Sequence, residues 1–174
     1  MLLCQQEIPL PATKAAIDAA ARAGVVVVLD PAPVRQVPDG FYDSVTVLTP
    51  NQGEASTMSD IGVTDAVSAR SAASAIRNMG IETVIVTLGD QGAWIESYGI
   101  SELLDPFDVP VVASVAAGDA FNGGLGVGIA SGMDLLDAAW LGMASGAICV
   151  SRDGAQEAMG SKKEVLALMD SKTN

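Results

Sequence analysis

Histidine is absent from the sequence, and its absence excludes several kinds of site. Without an imidazole the chain has no Ser-His-Asp triad, no histidine acid or base, and few ways to bind zinc. Any proton transfer must therefore use Asp, Glu, Lys, Tyr or Cys side chains. The two cysteines, Cys4 and Cys149, are too few for a disulfide framework, and we expect two buried thiols in a reducing cytoplasm.

Basic residues and long apolar runs are also scarce. Nine Lys and Arg residues against 21 Asp and Glu residues give a formal net charge of −12, and the basic residues are scattered. Because nonspecific nucleic-acid binding needs clustered cations, neither nucleic acid nor an anionic membrane is expected as a partner. The longest apolar run, residues 138–150, is too short to cross a bilayer and predicts a buried helix. No signal peptide is evident, so a cytoplasmic protein is expected.

Predicted apolar strands and predicted helices alternate along the chain. Strands are predicted near 2–4, at 25–30, 44–49 and 82–89, as an antiparallel pairing at 93–99, and near 101–104 and 109–113. Helices are predicted at 10–23, 50–58, 65–79, 117–131, 134–150 and 161–170. This alternation, without repeats or linkers, favours a single domain over residues 1–174 that is built on an open α/β sheet.

The stretch AAGDAFNGG, residues 116–124, is the most informative for chemistry. Small residues before a helix allow the N–H groups of Ala117, Gly118 and Asp119 to point at one spot, and a helix N-terminus favours an anion there. Physics alone leaves two interpretations of Asp119 open. It is either a favourable charge in the first helical turn, or a general base beside an anion hole, which is the arrangement that phosphoryl transfer to a hydroxyl needs.

The glycines of residues 123–128 are weak evidence for a nucleotide-binding site. They follow no strand, and their third glycine is wrongly spaced for a dinucleotide fingerprint. Close packing of a helix against the sheet explains them better than nucleotide binding does. A Rossmann-type dehydrogenase is therefore disfavoured.

Six stretches together resemble the ribokinase-like (PfkB) carbohydrate kinases. AAGDAFNGGL resembles the family signature D-T-x-[AG]-[AG]-G-D. The other five occur in the family's order: LLCQQE (2–7), LDPAP (29–33), TPNQGE (49–54), TLGDQG (87–92) and RDGAQ (152–156). The resemblance implies a three-layer, Rossmann-like (ribokinase-like), mostly parallel sheet with helices on both faces. It also implies ATP-dependent phosphorylation of a sugar hydroxyl, with ribose as the expected sugar.

The resemblance assigns roles to residues on the sugar side of the reaction. Asp119 would take the proton from the primary hydroxyl of the sugar. Ala116, Ala117 and Gly118 would hold the charge that develops on the transferred phosphate. Glu7 would hydrogen-bond a sugar hydroxyl.

The resemblance also assigns residues to ATP and magnesium. Asn51 and Glu54 would lie near the phosphates and a hydrated Mg²⁺, with Glu54 contacting the metal through water. The ATP pocket would be shaped by Thr87, Gly89, Asp90, Gly92 and Gly118. Met143 falls where the family contacts adenine, although its helical spacing fits a core position equally well. Gly92 is equally a turn position with positive φ.

One departure concerns a monovalent cation that some family members bind. The D-T pair of the signature is Ala113-Ser114 here, and a serine just after the G-A-Q-P motif corresponds to Ala158. Both side-chain oxygens are therefore lost. The remaining candidates are the backbone carbonyls of Val115, Cys149, Arg152 and Gly154. Because a hard cation loses its only charged ligand, we expect weak or absent K⁺ activation.

A second departure is that the matched motifs begin at residue 2, whereas the family's chain has a further half. We expect the N-terminal half of the fold and its β-sheet lid to be missing, which would remove water exclusion and substrate positioning. The uncompleted sheet edge would favour self-association. Two functions stay open: a sugar kinase, active or inactive as a truncated chain, and a catalytically dead module that binds a nucleotide or a partner.

Overall fold

The computed structural model describes residues 1–172, which separate into two compact units. The first unit runs from Met1 to Asp105, and the second begins at Pro106. The expectation of a single domain over residues 1–174 stays a prediction. None of the described helices is long and apolar enough to span a bilayer.

The first unit contains a six-stranded sheet whose strands follow the order of the sequence. Its strands are β1 (Leu2–Gln5), β2 (Val27–Asp30), β3 (Val47–Leu48), β4 (Thr83–Thr87), β5 (Ala93–Ser97) and β6 (Ile100–Leu104). The first four are parallel, and the last two form antiparallel hairpins. The predicted mostly parallel α/β sheet is thereby confirmed. All four residues of β2 are buried, as expected of a parallel strand that is covered on both faces.

Three helices of the first unit connect the parallel strands: α1 (Leu10–Arg22), α2 (Gln52–Ser59) and α3 (Ala66–Arg77). Local signals set their ends. Pro11 lies in the first turn of α1, and Gly24 follows its end with φ +66°. Asp65 caps α3, since its carboxylate accepts the Ser68 N–H at 2.8 Å. Apolar side chains of these helices, such as Ile17, pack with Leu29 and other strand residues into one core.

The second unit contains three helices: α4 (Ala117–Ala130), α5 (Leu135–Val150) and α6 (Lys162–Asp170). Helices α4 and α5 approach closely through glycines. A methyl group added at Gly128 would lie 2.7 Å from the Cα of Ala138, and one added at Gly142 would lie 2.8 Å from the carbonyl oxygen of Phe121. The glycines of residues 123–128 are expected to pack their helix against the sheet, whereas Gly128 packs against α5 instead.

The predicted strand at 109–113 is wrong. That segment is irregular, and its N–H groups do not enter a ladder of strands in the described part of the second unit. The N–H groups of Val112 and Ala113 instead donate to one carbonyl, that of Val150, at 2.7 and 3.2 Å. Carbonyls in the last turn of a helix lack partners within the helix, so the end of α5 supplies an acceptor for this segment.

Candidate functional site

Asp119 follows a turn of unusual backbone conformation at the start of α4. Ala116, the residue before the helix, has φ +59° and therefore lies in the left-handed region. Alanine has no side-chain acceptor with which to cap a helix, and the first N–H groups of any helix have no acceptor within the helix itself. The Ala117 N–H is turned to the carbonyl oxygen of Ser114 at 3.3 Å. The turn thus presents an exposed carboxylate beside the positive end of a helix.

The thiol of Cys149, on the last turn of α5, lies behind this turn. Its side chain is fully buried, and Sγ donates to the carbonyl oxygen of Val115 at 3.5 Å. Burial, and secondarily the negative charge of Asp119, raise the pKa of the thiol, which keeps it protonated as a donor. Cys149 packs with Ala116, Ala120 and Ala158 in a small apolar cluster.

The residues that the resemblance assigns to K⁺ do not fit a potassium site. Ala113 and Ala158 contribute no side-chain oxygen, and Ala158 is fully buried. The carbonyl of Val115 already accepts the thiol, as described above. The Arg152 guanidinium is engaged in an ion pair with Glu164 at 2.6 Å. Hard cations are bound by several oxygen ligands, and the residues assigned here offer backbone carbonyls without a carboxylate, so weak or absent K⁺ activation stays a prediction.

Gly154 completes this segment with φ +108°, a conformation that favours glycine. Its N–H donates to the Asp153 carboxylate at 3.0 Å. The RDGAQ stretch is therefore a tight turn before the 3₁₀ segment Gln156–Ala158.

In the first unit, the structure brings Asn51, Glu54 and Thr87 together at the carboxyl ends of β3 and β4. Asn51 is the N-cap of α2: its side chain accepts the Glu54 N–H at 3.0 Å, and the Glu54 carboxylate accepts the Asn51 N–H at 2.8 Å. Asn51 and Thr87 also form an isolated parallel β-bridge. In it the Thr87 N–H donates to the carbonyl of Pro50 at 3.0 Å. Ligands of open α/β sheets bind at this edge, outside the carboxyl ends of the strands.

The predicted nucleotide loop, residues 87–92, is the hairpin that joins β4 to β5. Gly89 has φ +61° and Gly92 has φ +94°, so both glycines are required by the turn. The Leu88 N–H donates to the Gly92 carbonyl at 2.8 Å and closes the loop. Asp90 is exposed at the tip of this loop.

Glu7 lies just beyond β1, two strands away from β3, and its side chain is exposed. The loop that carries it is held by Arg35, whose guanidinium donates to the carbonyl oxygens of Glu7 and Ile8 at 3.4 and 3.2 Å. Gln5, at the end of β1, donates to the Asp30 carboxylate at 3.2 Å. The LLCQQE and LDPAP stretches are therefore joined to each other at the ends of β1 and β2.

Met143, on α5, is half-buried against an apolar cluster of the second unit. The cluster includes Phe107, Leu141 and Ile148. The core interpretation of Met143 accounts for these contacts, and its proposed contact with adenine stays a prediction.

Two residues that shape these sites, Cys149 and Arg35, are not identified as such by the sequence analysis. The side chain of Cys149 was expected only as a buried thiol, because a hydrogen bond over 34 residues leaves no sequence pattern. Arg35 lies two residues after the LDPAP stretch, and this closeness is the only feature of the sequence that could have indicated its role. Residues 1–172 contain no group of three or more His, Cys, Asp or Glu side chains placed to hold a metal ion.

Comparison with known proteins agrees with these motifs. The model of the family described as pfkB family carbohydrate kinase matches residues 3–162. Ribokinase from Haemophilus influenzae is 36% identical over 169 residues, which are 97% of this chain and 55% of that protein. The structure of ribokinase from Thermotoga maritima is similar with a TM-score of 0.86 and 33% identity, covering 97% of this chain and 56% of that one.

A structure of Arabidopsis thaliana ribokinase complexed with ribose and ATP is similar with a TM-score of 0.90 and 27% identity, covering 96% of this chain and 55% of that one. The chain therefore spans about half the length of the curated relatives it matches.

Proposed function

Because this chain belongs to the pfkB family of carbohydrate kinases, we propose that it takes part in transferring the γ-phosphoryl group of ATP to a sugar hydroxyl. Ribose is the expected acceptor and ribose 5-phosphate the product, since the similar Arabidopsis structure holds ribose and ATP. The observation that carries the proposal is the turn at Ala116, which places the exposed Asp119 carboxylate at the N-terminus of α4.

In the proposed reaction, Asp119 accepts the proton of the primary hydroxyl as its oxygen forms a bond to the γ-phosphorus. The bond between that phosphorus and the bridging oxygen of ADP breaks, and ADP leaves. The N–H groups of Gly118 and Asp119, with the positive helix end, stabilise the charge on the transferred group. Glu7 hydrogen-bonds the sugar.

Residues of the first unit are proposed to bind the nucleotide. The closed hairpin of residues 87–92 has glycine at two turn positions, Gly89 and Gly92, where a ligand can approach the backbone without meeting a side chain. Asn51 and Glu54 lie beside that hairpin through the bridge to Thr87. Mg²⁺ usually keeps several waters and takes one or two carboxylates, so the single carboxylate of Glu54 fits a water-mediated contact. When bound, the metal neutralises charge on the phosphates.

The test is ADP release from the purified chain with ATP, Mg²⁺ and ribose, before and after Asp119→Asn. Asp137→Asn is the matched control, because Asp137 is the third residue of α5 just as Asp119 is the third residue of α4. Both substitutions weaken a helix-end charge, which costs roughly 0.3–1 kcal/mol of stability each. Only Asp119→Asn should lower turnover, by about a hundredfold or more for a lost general base.

Equal turnover in the two variants would contradict the role of Asp119. Binding of ATP without ribose-dependent turnover in the unsubstituted chain would favour the alternative function, a nucleotide-binding module without catalysis. Self-association through the exposed edge of β1 remains a separate proposal that sedimentation of the same sample tests.

A further inference from the structure

The buried thiol of Cys149 is a polar group that the proposed reaction leaves unused. Sγ lies 3.5 Å from the carbonyl oxygen of Val115, which is the residue directly before Ala116. The bond joins the last turn of α5 to the turn that begins α4. It is thus a contact between distant parts of the chain at the point where the second unit presents Asp119.

The turn needs such a contact because its backbone is strained. Ala116 has φ +59°, and the left-handed region brings the Cβ of any residue other than glycine too close to the backbone. Strained residues persist only where the surrounding structure determines them. The end of α5 supplies that structure twice: the carbonyl of Val150 accepts the N–H groups of Val112 and Ala113, and the thiol of Cys149 donates to Val115.

The space around the thiol is apolar. Cys149 and Ala158 are both fully buried, and they pack with Ala116 and Ala120. These four side chains offer no oxygen ligand for a cation, whereas a neutral thiol is at home among them.

We propose that Cys149 is a positioning residue, whose thiol hydrogen bond to the Val115 carbonyl holds the turn before α4 and so directs Asp119 without a monovalent cation. The catalytic meaning of this turn rests on the proposed function. The hydrogen bond and its effect on the turn do not.

Amide hydrogen exchange in the ligand-free chain tests the proposal directly. The reporters are the Ala117 N–H, which donates to Ser114, and the Ala120 N–H, which donates to Ala116. In Cys149→Ala both should exchange about twofold to fivefold faster, since a weak hydrogen bond such as S–H···O contributes about 0.5–1 kcal/mol. Cys149→Ser has nearly the same volume as alanine but keeps a donor, so exchange should return towards the unsubstituted rate. The Val165 N–H in α6, bonded to Ser161, reports any general loss of stability.

Two results would overturn the proposal. One is equal exchange at Ala117 and Ala120 in the alanine and serine variants, which would leave only a packing role. The other is slower exchange of the unsubstituted chain in K⁺ than in tetramethylammonium, which would show that a cation holds the turn. This second measurement needs no variant, so it decides even if a substituted chain fails to fold.

Turnover separates the proposal from the proposed function. If the chain phosphorylates ribose, Cys149→Ala should lower kcat several-fold and leave the KM for ATP unchanged, with recovery in Cys149→Ser. If the unsubstituted chain shows no turnover, the proposed function fails while the exchange result still stands or falls by itself.

Discussion

Substitution of Gly128 by alanine should destabilise the second unit, although alanine is the better helix former. The added methyl group would lie 2.7 Å from the Cα and 2.8 Å from the Cβ of Ala138. Neither atom can rotate away, because one is backbone and the other is attached directly to it. Helices α4 and α5 would have to move apart by roughly 1 Å to reach ordinary van der Waals separation.

The magnitude follows from two opposed effects. Overpacking of this kind costs roughly 1–3 kcal/mol, and the rigid contact at Ala138 favours the upper end. Glycine to alanine in a helix returns about 1 kcal/mol. We therefore expect a net loss of about 2 kcal/mol for Gly128→Ala. Gly123 lies on the same helix with nothing within 4 Å of a Cβ, so Gly123→Ala should gain up to about 1 kcal/mol.

Urea unfolding followed by circular dichroism measures both variants against the unsubstituted chain. The two midpoints should move in opposite directions, at an unchanged slope with denaturant. A Gly128→Ala variant as stable as Gly123→Ala would refute the claim that α4 and α5 approach through this glycine.

Three further predictions concern charge, reactivity and capping. The Ser161 hydroxyl and Arg152 lower the pKa of Glu164 from 4.5 to about 2, so this carboxylate stabilises the folded state fully above about pH 4.5 and ceases to do so as pH falls towards 2. Glu164→Gln should flatten the dependence of Tm on pH in that range, and an unaltered profile would contradict it. Burial raises the pKa of Cys4 from 9.0 to about 11. Iodoacetamide at pH 8 should therefore alkylate Cys4 about a hundredfold more slowly than in the urea-unfolded chain, by peptide mass spectrometry; equal rates would refute this. Asn51→Ala should cost about 1 kcal/mol in urea unfolding and Asn51→Ser far less, because serine still caps α2; equal losses would argue against the cap.

Much of the fold could be predicted because its signals are local. The β-branched run at 25–30 became the buried strand β2, and Asp65 began α3 as a cap would. The hairpin at 87–92 was marked by glycines that its backbone requires. Each of these features depends on residues that are close in sequence, so pattern and propensity suffice to find them.

The errors lie where distant residues decide the structure. The β-branched residues of 109–113 suggest a strand, yet a strand needs a neighbour, and here the N–H groups of Val112 and Ala113 donate to the carbonyl of Val150 instead. The glycines of α4 showed that something approaches closely, but they could not show that it is α5. The bond from Cys149 to Val115 is hidden for the same reason.

The N-x-x-E motif at Asn51 shows why a site motif and a structural motif can coincide. A capping box also needs a polar N-cap followed three residues later by an acid, and Asn51 and Glu54 make both of its hydrogen bonds. The same bonds fix the two side chains at the carboxyl ends of β3 and β4, where an open α/β sheet binds its ligands. Capping therefore does not compete with binding of phosphate or hydrated magnesium: it orders the groups that binding would use, which lowers the entropy lost when a nucleotide arrives.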